Sequence, residues 1–527
     1  MTGAKMTDGQ ISCELDLGGV VWVELAATAG GVISGLRGKL LPCQVLRSVP
    51  RRRVMYVPGT PALLVKQFFD RRAFDVIKTM LRGAPALQEW RALREAERRG
   101  LPVPEPFGLG RRRGQSLLLS EFVESAISLQ DFAGTKHGVD TRRAIIREVA
   151  GLIRRMHDAG FYQRDLHLGN LLLRQRPERE YFLLDLQRVD VDPVFFRLGK
   201  RWRDLSALGG GCGDLSRADR LRFLRAYLRG TARLCADERR LISTLERRVQ
   251  RHRLALWRSR QKRCLADNSE FVQVKIGACR GFARRAEWGE LHGVIGDPCT
   301  MLARAAIVKD SFTTAVGTLG WPQGRMFVKS YKCQGPVYAL KNLFRSSRAR
   351  RGWKAGNSCH MRGIAVALPL AYLERRRFRF LRETYLLTAA VEGEDLARLA
   401  ARLRDDFRAK RGLIRQLSRE LRRMHDRGIA HRDLKAENII AQERGGAEYR
   451  FFIVDFDGIS YGPVSAKTRA KNLARSVRAV AANIPLTAAD RLRFVKNYLG
   501  PAAAGRRREM HVRLLNFERK YNRRHKS

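Results

Sequence analysis

Two stretches of the chain place apolar residues at helical spacing on one face. The first carries Ile145, Ile146, Val149, Ile153 and Met156, the second Leu413, Ile414, Leu417, Leu421 and Met424. That period predicts an amphipathic helix laid on a core. Each stretch runs into a glycine, Gly160 or Gly428, suited to the residue that closes a helix. Short β-like runs precede each helix: "RVMYV", "ALLVKQF" and "QSLLLSEFV" in the first case, "RMFVKSY" and "TYLLTAAV" in the second. A helical stretch around Trp90 or Trp353 lies among them. After each helix comes a polar loop, "QRDLHLGN" (163–170) or "HRDLKAEN" (431–438). A short apolar run ending in an acid follows, "LLDLQ" (183–187) or "IVDFD" (453–457).

The same elements therefore occur twice, in the same order. Farther on, "ADRLRFLRAYL" (218–228) matches "ADRLRFVKNYL" (489–499). Two copies of one domain explain this better than a solenoid of short repeats, and 527 residues exceed one ordinary core. The expected domains are 1–264 and 265–527, divided after the basic segment "ERRVQRHRLALWRSRQKRC", read as a solvated closing helix. Strands early and helices late predict an α+β fold: two tandem bilobal units, each a small β-rich lobe over a larger helical lobe.

Composition adds a partner class. The chain carries 103 Lys and Arg against 52 Asp and Glu, a formal charge of +51. Such an excess favours polyanions: nucleic acid, anionic lipid head groups or phosphorylated glycans. No aromatic–basic stacking motif or zinc spacing supports nucleic acid. No apolar run approaches a membrane span, and "MTGAKMTDGQISCELDLGG" lacks a signal-peptide core. Nine scattered cysteines without a CxxC pair predict neither a disulfide framework nor a zinc site, and hence a reducing compartment, the cytoplasm.

The repeated polar residues match what phosphoryl transfer requires. An attacking hydroxyl needs a proton acceptor, magnesium needs hard oxygen ligands, and the non-transferred phosphates need a lysine. Asp165 and Asp433 are the candidate bases; Asn170 and Asn438, five positions later in each loop, are candidate amide ligands to the metal. Asp185 and Asp455 supply the carboxylate ligands, and Lys66 and Lys329 stand in early apolar strands. Each element alone is weak; four in order, and then four again, reproduce the kinase arrangement. His157 and His425, late on the amphipathic helices, are read as braces of the loop and not as catalysts, with Asp158 and Asp426 as local supports.

With these motifs the chain resembles the lipopolysaccharide core kinases, which phosphorylate Kdo or heptose sugars and are distant relatives of protein kinases. The likeness is carried by both loops, by "EWRALREAERRGLPVPEPFGL" (89–109), by "WRSRQKRCLADNSEFV" (257–272) and by "KNLFRSSRARRGWKAGNSCHMRGIAVALPL" (341–370). It implies a bilobal kinase-like fold, ATP, Mg2+ and a sugar-hydroxyl acceptor on an anionic glycolipid, the lipopolysaccharide core precursor. Peripheral contact with the inner membrane is the matching expectation. A protein kinase or tandem pseudokinase acting as a scaffold is the alternative, because "HRDLKAEN" fits that class too. Against it, no acid–proline–glutamate segment of the protein-kinase type follows Asp455.

Four departures from the pattern stand out. Glu89 is the expected helix partner of Lys66, but the matching residue in the second copy is Gly352, with Asn357 and His360 as the nearest polar candidates. Gln163 replaces His431 at the loop prop. No convincing glycine-rich phosphate loop exists: "TAGGVISGLRG" (28–38) lies far from Lys66, and "TTAVGTLGWPQG" (313–324) reads equally as a hairpin. Asp457, after the metal-binding acid, is read as a turn carboxylate, with a further metal ligand as the other reading.

Overall fold

The computed structural model describes residues 12–17, 19–36, 40–49, 51–69, 84–112, 114–135, 137–175, 177–192, 198–212, 215–228, 238–333, 345–378, 380–482, 484–500 and 507–524. Residues 1–11, on which the signal-peptide reading rests, lie outside this set, as do parts of the 28–38 and 341–370 stretches. The chain divides into two compact units, 1–253 and 254–527. The division falls inside the helix Glu238–Arg260, earlier than the sequence boundary at 264/265. The reason is local packing. In unit 2, Trp257 lies under the Arg362 guanidinium, 5.1 Å from ring centroid to Cζ. In unit 1, Arg253 donates to the Gly209 and Gly210 carbonyls at 3.3 Å. The helix thus has working inner positions and is more than a solvated cap.

Unit 1 opens with a seven-stranded antiparallel sheet. Its spatial order is Ser12–Asp16, Leu40–Val49, Arg52–Val57, Leu63–Phe69, Gln115–Glu121, Pro106–Arg112, Val21–Leu25. The helix Pro85–Arg98 packs on it, with proline near its first turn, where a missing N–H is no loss. Cys43 is disulfide-bonded, and the strand register sets Cys13 opposite it. The scattered cysteine spacing predicted no disulfide, because only the pairing of distant strands brings these positions together.

Unit 2 repeats the plan. Its seven-stranded sheet runs Phe271–Ile276, Cys279–Arg284, Pro369–Arg377, Phe380–Ala389, Gly324–Tyr331, Thr314–Trp321, Ala306–Asp310. The helix Arg348–Met361 lies against it, capped by Ser347, whose side chain accepts from the Arg350 N–H. The 313–324 stretch is a strand and turn, with Trp321 paired against Gly324 in a hairpin. In unit 1 Gly30, Gly31 and Gly35 belong to the helix Ala29–Leu36, and Gly38 lies outside the described residues.

In each helical lobe the amphipathic segment forms a long helix, Val139–Asp158 or Phe407–Asp426, and all ten apolar positions named from the sequence are buried. Gly160 and Gly428 close these helices with φ of 76° and 72°. Beneath the polar loop of unit 2, His425 Nδ1 accepts from the Tyr498 hydroxyl at 2.7 Å, and its Nε2–H donates to Asn472 Oδ1 at 3.1 Å. The same Asn472 oxygen accepts the His431 backbone N–H at 3.0 Å. Arg469 donates to Tyr498 (3.0 Å) and to Asp426 (2.8 Å). Unit 1 has His157 against Tyr227 at 2.8 Å, with fully buried Asp204 at the Asn472 position, 3.5 Å from His157 Nε2. Asn472 thus ties His425 to the loop backbone in unit 2, while His157 is held by Tyr227 beside Asp204.

Two stability outcomes follow from this packing. A Cβ on Gly428 would stand 2.8 Å from the Gly462 carbonyl oxygen, on a backbone of φ +72°. Gly428→Ala should therefore lower the unfolding free energy of unit 2 by about 1–3 kcal/mol, read from denaturant melts. Burial pushes the His425 ring down to about 4, even though the Asn472 hydrogen bond pulls it up. A folded value below the unfolded one means that the unfolded chain takes up the proton first. Stability should be full above pH ~6.5 and fall as pH drops toward ~4, by at most about 3 kcal/mol. The difference between wild type and His425→Gln, measured by melts across this range, should flatten above pH ~6.5.

Candidate active site

In unit 1, Lys66 sits on an inner strand between Val54 and Leu118 in the register. Its ammonium pairs with the Glu89 carboxylate from the helix Pro85–Arg98; the two side chains are 7% and 1% exposed. A buried pair of this kind is stable only while both partners remain, since either alone is an uncompensated charge. Glu89 Oε2 is buried with no hydrogen-bond partner, so one oxygen is left over beside the lysine. The helix partner expected for Lys66 is thus in place.

The loop carries Asp165 exposed and Asn170 buried. Asn170 Nδ2 donates to the Asp165 carbonyl at 3.0 Å, which fixes the loop between the candidate base and the candidate amide ligand. Gln163 Nε2 donates to the carbonyls of Leu184 (2.8 Å) and Asp185 (3.2 Å), tying the loop to the acidic segment. Asp185 holds a left-handed φ of 56°, a conformation that costs of order 1 kcal/mol and collects at functional sites. Arg52 Nη1 stands 3.5 Å from Asp185 Oδ1. It lies beside the turn joining Leu40–Val49 to Arg52–Val57, next to the Lys66 strand. His252 also belongs to this unit: burial holds it below its ordinary value, although the Asp165 charge pulls it up. Neither Arg52 nor His252 carries a motif, and only the fold brings them near the loop.

Unit 2 builds its loop in the same way, with histidine as the prop. Asn438 Nδ2 donates to the Asp433 carbonyl at 3.0 Å. His431 Nδ1 accepts the Asp433 N–H at 3.1 Å, so its Nε2–H is the donor to the Asp455 carbonyl at 2.9 Å. Burial keeps this ring below its ordinary value against the pull of Asp455 and Asp433, as a neutral prop requires. The side chains of Gln163 and His431 thus perform one task, bridging loop and acid.

The lysine differs between the units. Lys329 Nζ lies 2.9 Å from Asp455 Oδ1 and 3.2 Å from Asp457 Oδ2. Burial would raise the Asp455 carboxyl, but the Lys329 ammonium beside it holds it below the usual carboxylate range. The helix contributes no partner. Asn357 bonds Arg284 at 2.9 Å and the Trp353 carbonyl at 3.0 Å, and His360 faces the Arg284, Glu270 and Arg450 charges. Asp457, read from the sequence as a turn carboxylate, does sit in a turn, and it is bound there by Lys329, by Arg348 (2.8 Å) and by the Tyr331 hydroxyl (3.1 Å).

One cluster was not foreseen. Cys279, Cys299 and Glu383 offer ligand atoms within 4.8 Å of one another. Arg375 Nη1 stands 3.2 Å from Glu383 and already supplies the counter-charge, so a cation would have to displace it.

The donor sets suit a hard divalent ion and a phosphate chain: carboxylate and amide oxygens, with an ammonium beside them. The sequence profile of the lipopolysaccharide kinase (Kdo/WaaP) family matches residues 62–227 and again 327–498. The lipopolysaccharide core heptose(I) kinase WaaP of Pseudomonas aeruginosa is 31% identical over 188 residues, covering 32% of this chain and 68% of that protein. The protein of that name from Escherichia coli K12 is 24% identical over 212 residues, covering 36% and 79%. A 3-deoxy-D-manno-octulosonic acid kinase of Actinobacillus succinogenes is 30% identical over 174 residues, covering 31% and 61%. Among solved structures, WaaP in complex with acyl carrier protein aligns at 26% identity and a TM-score of 0.33, over 42% of this chain and 91% of that one. With both loops, both lysines and both metal-type acids inside the matched spans, the chain belongs to the lipopolysaccharide kinase (Kdo/WaaP) family, whose kinase-like region it carries twice.

Proposed function

We propose that this chain is an ATP-dependent kinase that phosphorylates a hydroxyl of a lipopolysaccharide core sugar, Kdo or heptose, at the cytoplasmic face of the inner membrane. The two repeats, 1–264 and 265–527, would each form one kinase domain. The observation that carries the reading is the tie between loop and acid made by Gln163 in one unit and His431 in the other. It holds a candidate base and candidate metal ligands in fixed relation in both.

Asp165 and Asp433 accept the proton of the attacking sugar hydroxyl. Lys66 and Lys329 hold the non-transferred phosphates of ATP. Asn170 with Asp185, and Asn438 with Asp455, hold magnesium, which when bound screens the phosphate charge from the incoming oxygen. Arg52 adds a cation beside Asp185. The excess of basic residues (103 against 52) attracts an anionic glycolipid and an anionic leaflet. No helix among the described residues is long and apolar enough to cross a membrane, so contact with the leaflet is peripheral in this reading.

Mass spectrometry of core oligosaccharide from cells lacking the protein should show the loss of one or two phosphates. Restoring Asp165→Asn or Asp433→Asn should each leave one site unmodified, with turnover down by about 10²–10⁴. Normal phosphorylation of delipidated core oligosaccharide by the double variant would rule out these bases. In unit 1, Arg52→Ala should raise the KM for ATP by about tenfold with a smaller change in kcat, since it removes binding more than chemistry.

A further inference from the structure

The two repeats solve the same electrostatic problem with different residues. Lys66 aligns with Lys329, Trp90 with Trp353 and Asp185 with Asp455. Around these anchors, unit 1 has Phe68, Pro85, Glu89 and Gln187. Unit 2 has Tyr331, Arg348, Gly352 and Asp457 at the matching positions. The helix carboxylate is gone, and a loop carboxylate has appeared with a hydroxyl and a guanidinium to hold it.

The space confirms the exchange. A Cβ on Gly352 would lie 2.8 Å from Leu386 Cδ2 and 3.6 Å from the Tyr331 hydroxyl. The room a glutamate would need is taken by Leu386 and Tyr331, and the Tyr331 ring lies 5.3 Å from Lys329 Nζ and 4.7 Å from the Arg348 guanidinium. The charges balance: Lys329 and Arg348 against Asp455 and Asp457.

Resting on the phosphotransfer reading, we infer that Asp457 is the positioning carboxylate of unit 2, replacing the helix glutamate and held in place by Arg348 and Tyr331. Asp455 cannot fill this role alone. A carboxylate that turns its oxygens to a divalent ion gives up most of its hold on an ammonium. Lys329, 22% exposed, then needs a second partner or becomes an unpaired, half-buried cation. Unit 1 separates the two duties: Glu89 holds Lys66, while Asp185 touches Arg52.

The test uses the full chain and reads each lysine separately. Trace acetic anhydride acylates accessible amines, ATP is titrated as protector, and peptide mass spectrometry gives the ATP concentration that half-protects Lys66 and Lys329. Asp457→Asn should raise this concentration about tenfold at Lys329 and leave Lys66 unchanged, with a wild-type denaturant melt of unit 2 as the control for folding. Asp457→Glu should restore most of the protection, and Tyr331→Phe should raise the concentration about threefold. The shift should persist when Mg2+ is replaced by EDTA. An unchanged Lys329 value in Asp457→Asn overturns the inference. So does a shift seen only with Mg2+, which would make Asp457 a metal ligand, and so does wild-type protection at Lys66 alone. No ATP protection at either lysine removes the phosphotransfer reading itself, and the inference with it.

Discussion

An ammonium drawn out of water loses several kcal/mol of hydration, a loss that only an anion beside it can offset. Both units place such an ammonium where strands meet helix, and much of the surrounding architecture serves to keep a carboxylate there. In unit 1 the inner strand sets Lys66, and the helix Pro85–Arg98 must dock at the depth that brings Glu89 to it. In unit 2 the partner arrives from the segment after Asp455. The sheet therefore has to meet the helical lobe's loop directly, through Lys329 and Tyr331.

A second layer of order lies beneath the loop. The neutral His431 ring and the Gln163 amide each bridge the loop to the acidic segment. His425, Asn472, Tyr498 and Arg469 form the floor below. Buried polar groups of this kind hold geometry when every member is satisfied. The floor of unit 2 meets that condition, since a single asparagine oxygen accepts from both the helix histidine and the loop backbone. Unit 1 keeps the plan with an acid at that place, and Arg203 donates to it at 3.0 Å.

Much of this was legible in the sequence, because the signals were periodic or repeated. The helix faces followed from spacing alone, and all ten named positions are buried. The loops, both lysines and Glu89 could be named because four weak motifs recur in order. The outer strands were not legible, since edge segments such as Ala306–Asp310 carry no burial pattern; all five of its residues are exposed. Arg52, Tyr331 and Arg348 were missed for another reason. Each acts through a neighbour far away in sequence, and nothing local marks it. The glycines of the first stretch were unreadable as a loop because Ala29–Leu36 is helical, and those of the second lie in strand and turn. The Cys43 disulfide escaped because cysteine spacing says nothing about which strands pair.

The vacancy at Gly352 bears on descent. If an ancestral repeat carried the helix glutamate, discarding it first would have stranded an ammonium with only Asp455 for company. Gaining an aspartate on the loop first leaves one surplus anion, which an arginine at position 348 can neutralise. A lineage that stayed folded at every step would therefore have acquired Asp457 before it gave up the older side chain.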